Sequence, residues 1–241
     1  MIVVVLCAGR GSRLGKKTSN IPKCMVKLKN KPLIYWSQKF RNNFKKNIFV
    51  CGYKKDMIIK NFNKDPKNIF VINNEFKSTN MVYSLFKINK RHIKNEDIVV
   101  CYSDIIFNPK IFQLFKTKET FIPIKLDWLK LWKKRMNLKK IKKDAENIQI
   151  SGKNIESIGG KLNKKLPDYQ FMGLVKIKNN DFFKLKSFFK KLNKRIDFTT
   201  FLNEAISNQI IKLRFKKTKI EWYEIDNQKD LKYTESVRIR W

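Results

Sequence analysis

Met1-Ile-Val-Val-Val-Leu-Cys-Ala-Gly-Arg-Gly-Ser-Arg-Leu14, with Ile21-Pro22-Lys23-Cys24-Met25 close behind, decides how the chain is read. Three consecutive valines in a short apolar run predict a buried parallel strand over residues 2–7. The run ends in Ala8-Gly9-Arg10-Gly11, where the backbone can turn sharply and leave its N–H groups open to an anion. Arg13 follows within the loop, and Lys23 sits behind Pro22. Buried strand, glycine turn and two cations together predict a site for a nucleoside triphosphate. Gly-x-Gly by itself is equally a plain tight turn. Two other phosphate loops do not fit. The dinucleotide fingerprint needs a third glycine, where Leu14 stands, and an acid about 20 positions on, which residues 28–40 lack. The ATPase loop needs Gly-Lys-Ser/Thr after its spacer, which is absent.

Outward from the loop, strand and helix patterns alternate. Residues 32–44 predict a helix with Pro32 in its first turn, 47–52 a strand, 54–62 a helix and 68–72 a strand. Residues 80–90 predict a helix capped by Thr79 or Asn80, and 97–102 an apolar strand running into Ser103-Asp104. This succession predicts a parallel sheet with helices on both faces. Past Lys125 the pattern changes to a basic, tryptophan-rich stretch over 126–136. Alternation on both sides of Ser151-Gly152-Lys153-Asn154 predicts a hairpin over 148–158. A strand over 169–177, helices over 180–192 and 198–207, a strand over 221–225 and a helix over 228–234 complete the reading.

At 241 residues and 42% apolar content the chain can bury a proper core. No apolar run approaches the roughly 18 residues of a membrane span, and the first run is short and lacks a preceding basic region. A cytoplasmic protein is expected. Cys7, Cys24, Cys51 and Cys101 are widely spaced with no C-x-x-C pair, which predicts reduced structural cysteines and argues against zinc. His92 is the sole histidine, so triad or histidine–metal chemistry would rest on one basic-run residue. The net charge of +35 is spread along the chain, and only Lys133-Lys134-Arg135 and Lys139-Lys140-Ile141-Lys142-Lys143 cluster. Lysine, asparagine, isoleucine and phenylalanine are over-used throughout, as an AT-rich coding sequence produces. That favours general bias and attraction to anionic substrates over a specific nucleic-acid partner.

The string Leu6-Cys-Ala-Gly-Arg-Gly-Ser-Arg-Leu14, with Pro22-Lys23-Cys24-Met25 and Lys31-Pro32-Leu33-Ile34, resembles the signature of nucleotidyltransferases that activate sugar phosphates and phosphocholine-type alcohols. Ser78-Thr-Asn-Met-Val-Tyr-Ser-Leu85 and Tyr223-Glu-Ile-Asp-Asn-Gln-Lys-Asp-Leu231 resemble the phosphocholine and 2-aminoethylphosphonate cytidylyltransferase branch. The resemblance implies a Rossmann-like mixed, mostly parallel sheet flanked by helices, in one domain over 1–241. Within it, 1–125 would be the nucleotide-binding core, 126–177 a small acceptor-covering insertion, and 178–241 the completion of the sheet and metal site.

The implied reaction joins CTP and a phosphorylated or phosphonate amine or alcohol, giving a CDP-linked product and pyrophosphate. A phosphoamino acid is a further acceptor, and decoration of a surface glycan or lipid the expected use. Leu6, Ala8, Gly9, Arg10, Gly11, Arg13, Lys23 and Ser103 would hold the nucleotide, with Asn80 and Ser84 near base and ribose. Asn80 also reads as a helix cap and Ser84 as a packed small residue. Asp104 and Asp226 each end a predicted strand, where ligands bind in open α/β sheets. Two hard oxygen donors facing a triphosphate suit Mg²⁺, although each aspartate also reads as a cap. The implied catalytic set is Lys23, Arg13, Asp104 and Asp226.

For the acceptor, Ile158-Gly159-Gly160-Lys161 resembles the segment whose lysine meets the second substrate's phosphate; a solvated lysine is the alternative. Gly173 would let backbone approach the ligand. Trp128 and Trp132, four apart, share a helix face, and with Asp127 and Tyr169 would suit a cationic ammonium. The same spacing describes a core-facing stripe. The expected partners are CTP and a small acceptor, with no membrane span; a homodimer is compatible. A sugar-1-phosphate nucleotidyltransferase and a basic nucleic-acid-binding protein are the rival functions.

Overall fold

In the computed structural model, which describes all residues except 161, 163 and 164, the valine-rich run forms strand β1 (Ile2–Cys7), buried along its whole length. After it come a minimal hairpin of β2 (Lys27–Leu28) and β3 (Lys31–Pro32), then β4 (Asn47–Cys51), β5 (Asn68–Ile72), β6 (Ile98–Tyr102) and β7 (Ile105–Phe107). The second half adds β8 (Phe121–Lys125), β9 (Ile148–Ser151), β10 (Asn154–Ile158), β11 (Gln170–Phe171), β12 (Leu174–Ile177), β13 (Arg214–Thr218) and β14 (Trp222–Glu224). The main sheet runs β5-β4-β1-β6-β12-β8-β13-β10-β9. Its first part, β5-β4-β1-β6, is entirely parallel. β12 pairs antiparallel with both β6 and β8, and β13 lies parallel to β8. The mixed, mostly parallel sheet flanked by helices is the expected fold class.

Side chains on a strand alternate faces. Ile2, Val4 and Leu6 enter one core, with helices Met81–Phe86, Asn179–Phe189 and Phe198–Ser207. Val3, Val5 and Cys7 enter the other, with Phe40, Phe107 and Phe115 packed edge to face at 5.1 and 5.6 Å from the Phe40 ring. Burying each such phenylalanine contributes about 2 kcal/mol. Covering on both faces is why β1 is apolar throughout rather than alternating. A third, smaller core of Leu14, Val26, Leu28, Ile106, Tyr223 and Ile225 ties the glycine loop and the β2–β3 hairpin to the β7–β14 ladder.

Several predicted elements are redrawn. The 32–44 helix is two short helices, Leu33–Trp36 and Gln38–Arg41, broken at Ser37, whose Oγ donates back to the Ile34 carbonyl at 3.0 Å. The 80–90 helix is Met81–Phe86, capped by Asn80. The 169–177 strand breaks at Gly173, where φ is +73°, into β11 and β12. β12 places the end of the 126–177 segment in the middle of the sheet, beside β6. β8 and β13 are additional strands. Pro123 disguises β8 because proline is disfavoured inside sheets, and β13, Arg-Phe-Lys-Lys-Thr, carries three basic residues in five although only Lys217 is fully exposed. Among the described residues no helix is long and apolar enough to cross a membrane.

Candidate active site

The glycine loop caps the carboxyl end of β1. Gly11 sits at φ +77°, and a Cβ there would lie 2.5 Å from Lys23 Cβ and 2.8 Å from its Cγ. Glycine at this position therefore lets Lys23 pass under the loop. The Gly11 carbonyl is pinned by Leu14 N–H at 3.0 Å and Thr18 Oγ at 3.0 Å. Gly9 is exposed, with nothing within 4 Å of an added Cβ. The Ala8 carbonyl accepts from Tyr53 N–H at 2.9 Å. Gly52 packs against that carbonyl, since a Cβ there would lie 2.8 Å from it. Gly52 is a loop-shaping residue that the sequence reading missed, although its place at the end of β4 was a signal. Arg10 lies over the Tyr53 ring at 5.7 Å, and the Leu6 side chain belongs to the core.

Lys23 is the hub of the site. Its Nζ donates to Asp104 Oδ2 at 2.5 Å and to Asp226 Oδ1 at 2.8 Å. Arg13 Nη2 donates to the same Asp226 oxygen at 2.9 Å. The structure thus brings together four residues separated by more than 200 positions. Burial works against the Lys23 charge, but Asp104 and Asp226 outweigh it and hold the ammonium above its ordinary range. Burial likewise opposes the Asp226 charge, and Lys23 and Arg13 outweigh it, so this carboxyl sits below its usual range. Asp104 Oδ1 is buried with no hydrogen-bond partner. That orphaned oxygen and its neighbour Asp226 form a hard-oxygen pair that fits Mg²⁺, which takes one or two carboxylates plus substrate phosphates.

Asp226 is itself held in place. The β7–β14 ladder brings the turn after Asp104 alongside Glu224, and Ile225 N–H donates to the Asp104 carbonyl at 2.9 Å. Asp230, fully buried, accepts on Oδ2 from the backbone N–H groups of Asp226 and Asn227 at 3.0 and 3.1 Å. It also ion-pairs with the buried Arg135. Asp230 and Arg135 were not anticipated. The Asn227-x-x-Asp230 capping pattern was legible, and the structure has that box; Arg135 lay hidden in a basic run.

Beside this cluster opens a cavity of about 280 Å³ whose walls include Arg13, Asp104, Trp132, Gln170, Gly173 and Asp226. The other expected acceptor residues fall differently. Trp128 is buried in the core and donates from Nε1 to the Pro167 carbonyl at 3.2 Å. Trp132 packs edge-on against it at 5.1 Å and reaches the cavity wall, with the Arg135 guanidinium 5.1 Å from its ring. An internal arginine takes the place on Trp132 expected for a ligand cation. Asp127 pairs with the buried Lys125, and Tyr169 packs on the core with Lys217 over its ring at 4.8 Å, so neither lines the cavity. Lys161 lies outside the described residues. Asn80 caps the 81–86 helix, accepting from Met81 N–H at 2.8 Å, and its Nδ2 donates to the Arg195 carbonyl. Ser84 is buried and accepts from Asn73 Nδ2 at 2.9 Å. Ser103 sits half-buried in the turn before Asp104.

Residues 3–118 match the family model described as a MobA-like NTP transferase domain. The chain is 30% identical to the CTP:phosphoglutamine cytidylyltransferase of Campylobacter jejuni, over 96% of this chain and 98% of that protein. In fold it is similar to the inositol-1-phosphate CTP transferase from T. maritima, with a TM-score of 0.77 at 17% identity over 97% and 93% of the two chains. It is also similar to the CTP:phosphocholine cytidylyltransferase from Streptococcus pneumoniae, with a TM-score of 0.72 at 17% identity over 97% of each chain. With a glycine loop at the end of β1, two converging cations and paired carboxylates on this fold, the chain belongs to the nucleotidyltransferase family and is an enzyme of that class.

Proposed function

We propose that the protein is a Mg²⁺-dependent cytidylyltransferase that joins CTP to a small phosphorylated or phosphonate acceptor, releasing pyrophosphate. The observation that carries this is the convergence of Lys23 and Arg13 on Asp104 and Asp226 at the head of a substrate-sized cavity. The full-length similarity to a protein named for CTP and a phosphorylated small molecule supports the choice of nucleotide and acceptor.

The acceptor's phosphate oxygen attacks the α-phosphorus of CTP in line. A new P–O bond forms, the bond to the bridging oxygen of the β-phosphate breaks, and its electron pair leaves with pyrophosphate. The attacking oxygen is already anionic, so no general base is required. Catalysis is positioning and charge neutralisation. When the triphosphate enters, Arg13 and Lys23 exchange Asp226 and Asp104 for phosphate oxygens. Arg13, 68% exposed at its side chain, can swing onto the β- and γ-phosphates and steady the departing pyrophosphate. Lys23, 11% exposed, stays at depth, where it bridges the α-phosphate and the incoming oxygen. The carboxylates released, Asp104 and Asp226, would hold Mg²⁺, which supplies Lewis-acid polarisation of the α-phosphate when bound. The CDP-linked product carries an activated phosphate that a transferase can pass on, which fits decoration of a surface glycan or lipid.

Pyrophosphate release with Mg²⁺ tests the reading, each ribonucleoside triphosphate and dTTP being paired with phosphoethanolamine, 2-aminoethylphosphonate, phosphocholine, a phosphoamino acid and glucose-1-phosphate. Acceptor-dependent release with CTP is expected. Release only with glucose-1-phosphate and UTP or dTTP would replace this function with sugar activation.

A further inference from the structure

In a chain of net charge +35, the cavity beside the Lys23 cluster is rich in carboxylates. Its two guanidinium groups are already committed, Arg13 to Asp226 and Arg135 to Asp230. Asp144, Glu146, Asp197 and Glu224 line the same cavity, and none of them forms an ion pair among the described residues. Glu146 and Asp197 share one donor. Asp197, which caps the following helix, also accepts from Thr200 N–H at 2.9 Å and Thr200 Oγ at 2.7 Å, so Glu146 is the less satisfied. Thr199 Oγ lies 2.6 Å from Glu146 Oε1 and 3.0 Å from Asp197 Oδ1, and its single hydrogen can serve only one of them. Gly159, at φ +84°, leaves room for this threonine, since a Cβ there would lie 3.1 Å from its hydroxyl. Gln170, 5% exposed in the same cavity wall, also has an unpartnered side-chain oxygen. Trp132 Nε1, a donor in the same wall, lacks an acceptor. The Gln170 oxygen lacks a donor, however, Glu146 has only the shared one among the described residues, and the carboxylate excess calls for a cation.

We propose that the acceptor carries a primary ammonium group, that Glu146 and Asp197 hold it, with Gln170 beside them, and that these residues set acceptor specificity. This rests on the nucleotidyltransferase reading above. The chemistry favours an ammonium with N–H groups over a quaternary one. A trimethylammonium donates no hydrogen bond and would be held by open aromatic faces, but Trp128 is buried and the Trp132 ring already faces Arg135. Burial, with the Asp197 charge adding to it against the Thr199 hydrogen bond, keeps the Glu146 carboxyl above its ordinary range. A cation in the pocket would relieve that strain on its charge.

The test is calorimetric binding alongside turnover, with phosphoethanolamine, its hydroxyl analogue 2-hydroxyethyl phosphate, and phosphocholine, on the wild type, Glu146→Gln and Asp197→Asn. Asparagine keeps the helix cap at 197. Wild-type binding of phosphoethanolamine should exceed that of the hydroxyl analogue by about 10- to 100-fold, the worth of a charged hydrogen bond, and that of phosphocholine as well. Both variants should lose most of this preference and raise the acceptor KM, while the KM for CTP stays put. Equal binding of the amine and hydroxyl compounds, or an unchanged preference in both variants, overturns the inference even if CTP is consumed. Amine-selective binding that depends on Glu146, with no CTP consumption, would keep the inference and overturn the activity. Absence of both binding and turnover overturns both.

Discussion

Substituting Gly11 by alanine separates loop geometry from simple stability. Two effects follow from the structure. Alanine at φ +77° costs about 1 kcal/mol of backbone strain. In addition, its Cβ would sit 2.5 Å from Lys23 Cβ, an atom that no rotamer change can move away. Restoring ordinary contact requires a relative shift of about 1 Å between the loop and Lys23, and misplacement of that size costs roughly 100-fold in rate. Because Lys23 is fixed by Asp104 at 2.5 Å and Asp226 at 2.8 Å, the shift disturbs the whole cluster. Gly152 provides the control. It has φ +55° and nothing within 4 Å of an added Cβ, in the hairpin turn between β9 and β10. Gly152→Ala should lose about as much stability from strain with kcat unchanged, whereas Gly11→Ala should lose kcat by roughly 100-fold. Urea unfolding and steady-state pyrophosphate release measure the two quantities. Near wild-type kcat in Gly11→Ala, or equal kcat losses in both variants, would refute the placement of Lys23 under the loop.

Gly9→Ala should leave stability nearly unchanged, since its Cβ meets nothing, yet raise the KM for CTP by crowding the phosphates; an unaltered KM would remove Gly9 from the site. Lys23→Ala should keep the far-UV circular dichroism of the wild type and lower kcat by about 100- to 1,000-fold, the usual loss for one group aimed at developing charge; a loss below tenfold would contradict its role. Asp230→Ala leaves Arg135 buried and unpaired and frees the Asp226 N–H, so urea unfolding should show a loss of about 3–5 kcal/mol, against which a loss under about 1 kcal/mol would count. Glu146 carries a carboxyl whose pKa is raised on folding, chiefly by burial, so its contribution to stability falls as pH rises from the unfolded-state carboxyl range through its folded value. Glu146→Gln should therefore melt higher than the wild type at pH 8 and converge with it near pH 4; the same difference at both pH values would show that charge is not the cause.

What could be read in advance was what depends on neighbours in sequence. β1 announces itself by its valines, and the glycine loop by its spacing. Lys23 could be picked out only because a proline and a loop fix its surroundings. The meeting of Asp104 with Asp226 across the β7–β14 ladder is a tertiary fact. Strand-end position suggested each aspartate separately, and only the fold joins them. The tryptophan pair shows the limit more sharply. Spacing of four correctly puts Trp128 and Trp132 on one side of helix Trp128–Trp132, but periodicity cannot say whether that side faces ligand or core, and most of it faces the core. Glu146 and Asp197 were invisible because their significance lies in sharing Thr199 and lacking a cation, in a chain where cations are everywhere else. β8 escaped because Pro123 interrupts its pattern, yet it sits between β12 and β13 inside the sheet.

The central claim, attack of an acceptor phosphate on the α-phosphorus of CTP, is most directly tested by following label. CTP labelled at the α-phosphorus, and separately at the γ-phosphorus, would be incubated with the enzyme, Mg²⁺ and phosphoethanolamine, and the products separated. The α-label should appear in a CDP-linked compound only when acceptor is present, and the γ-label in pyrophosphate. An α-label that ends in free CMP or CDP, or a γ-label released as orthophosphate, would contradict that claim.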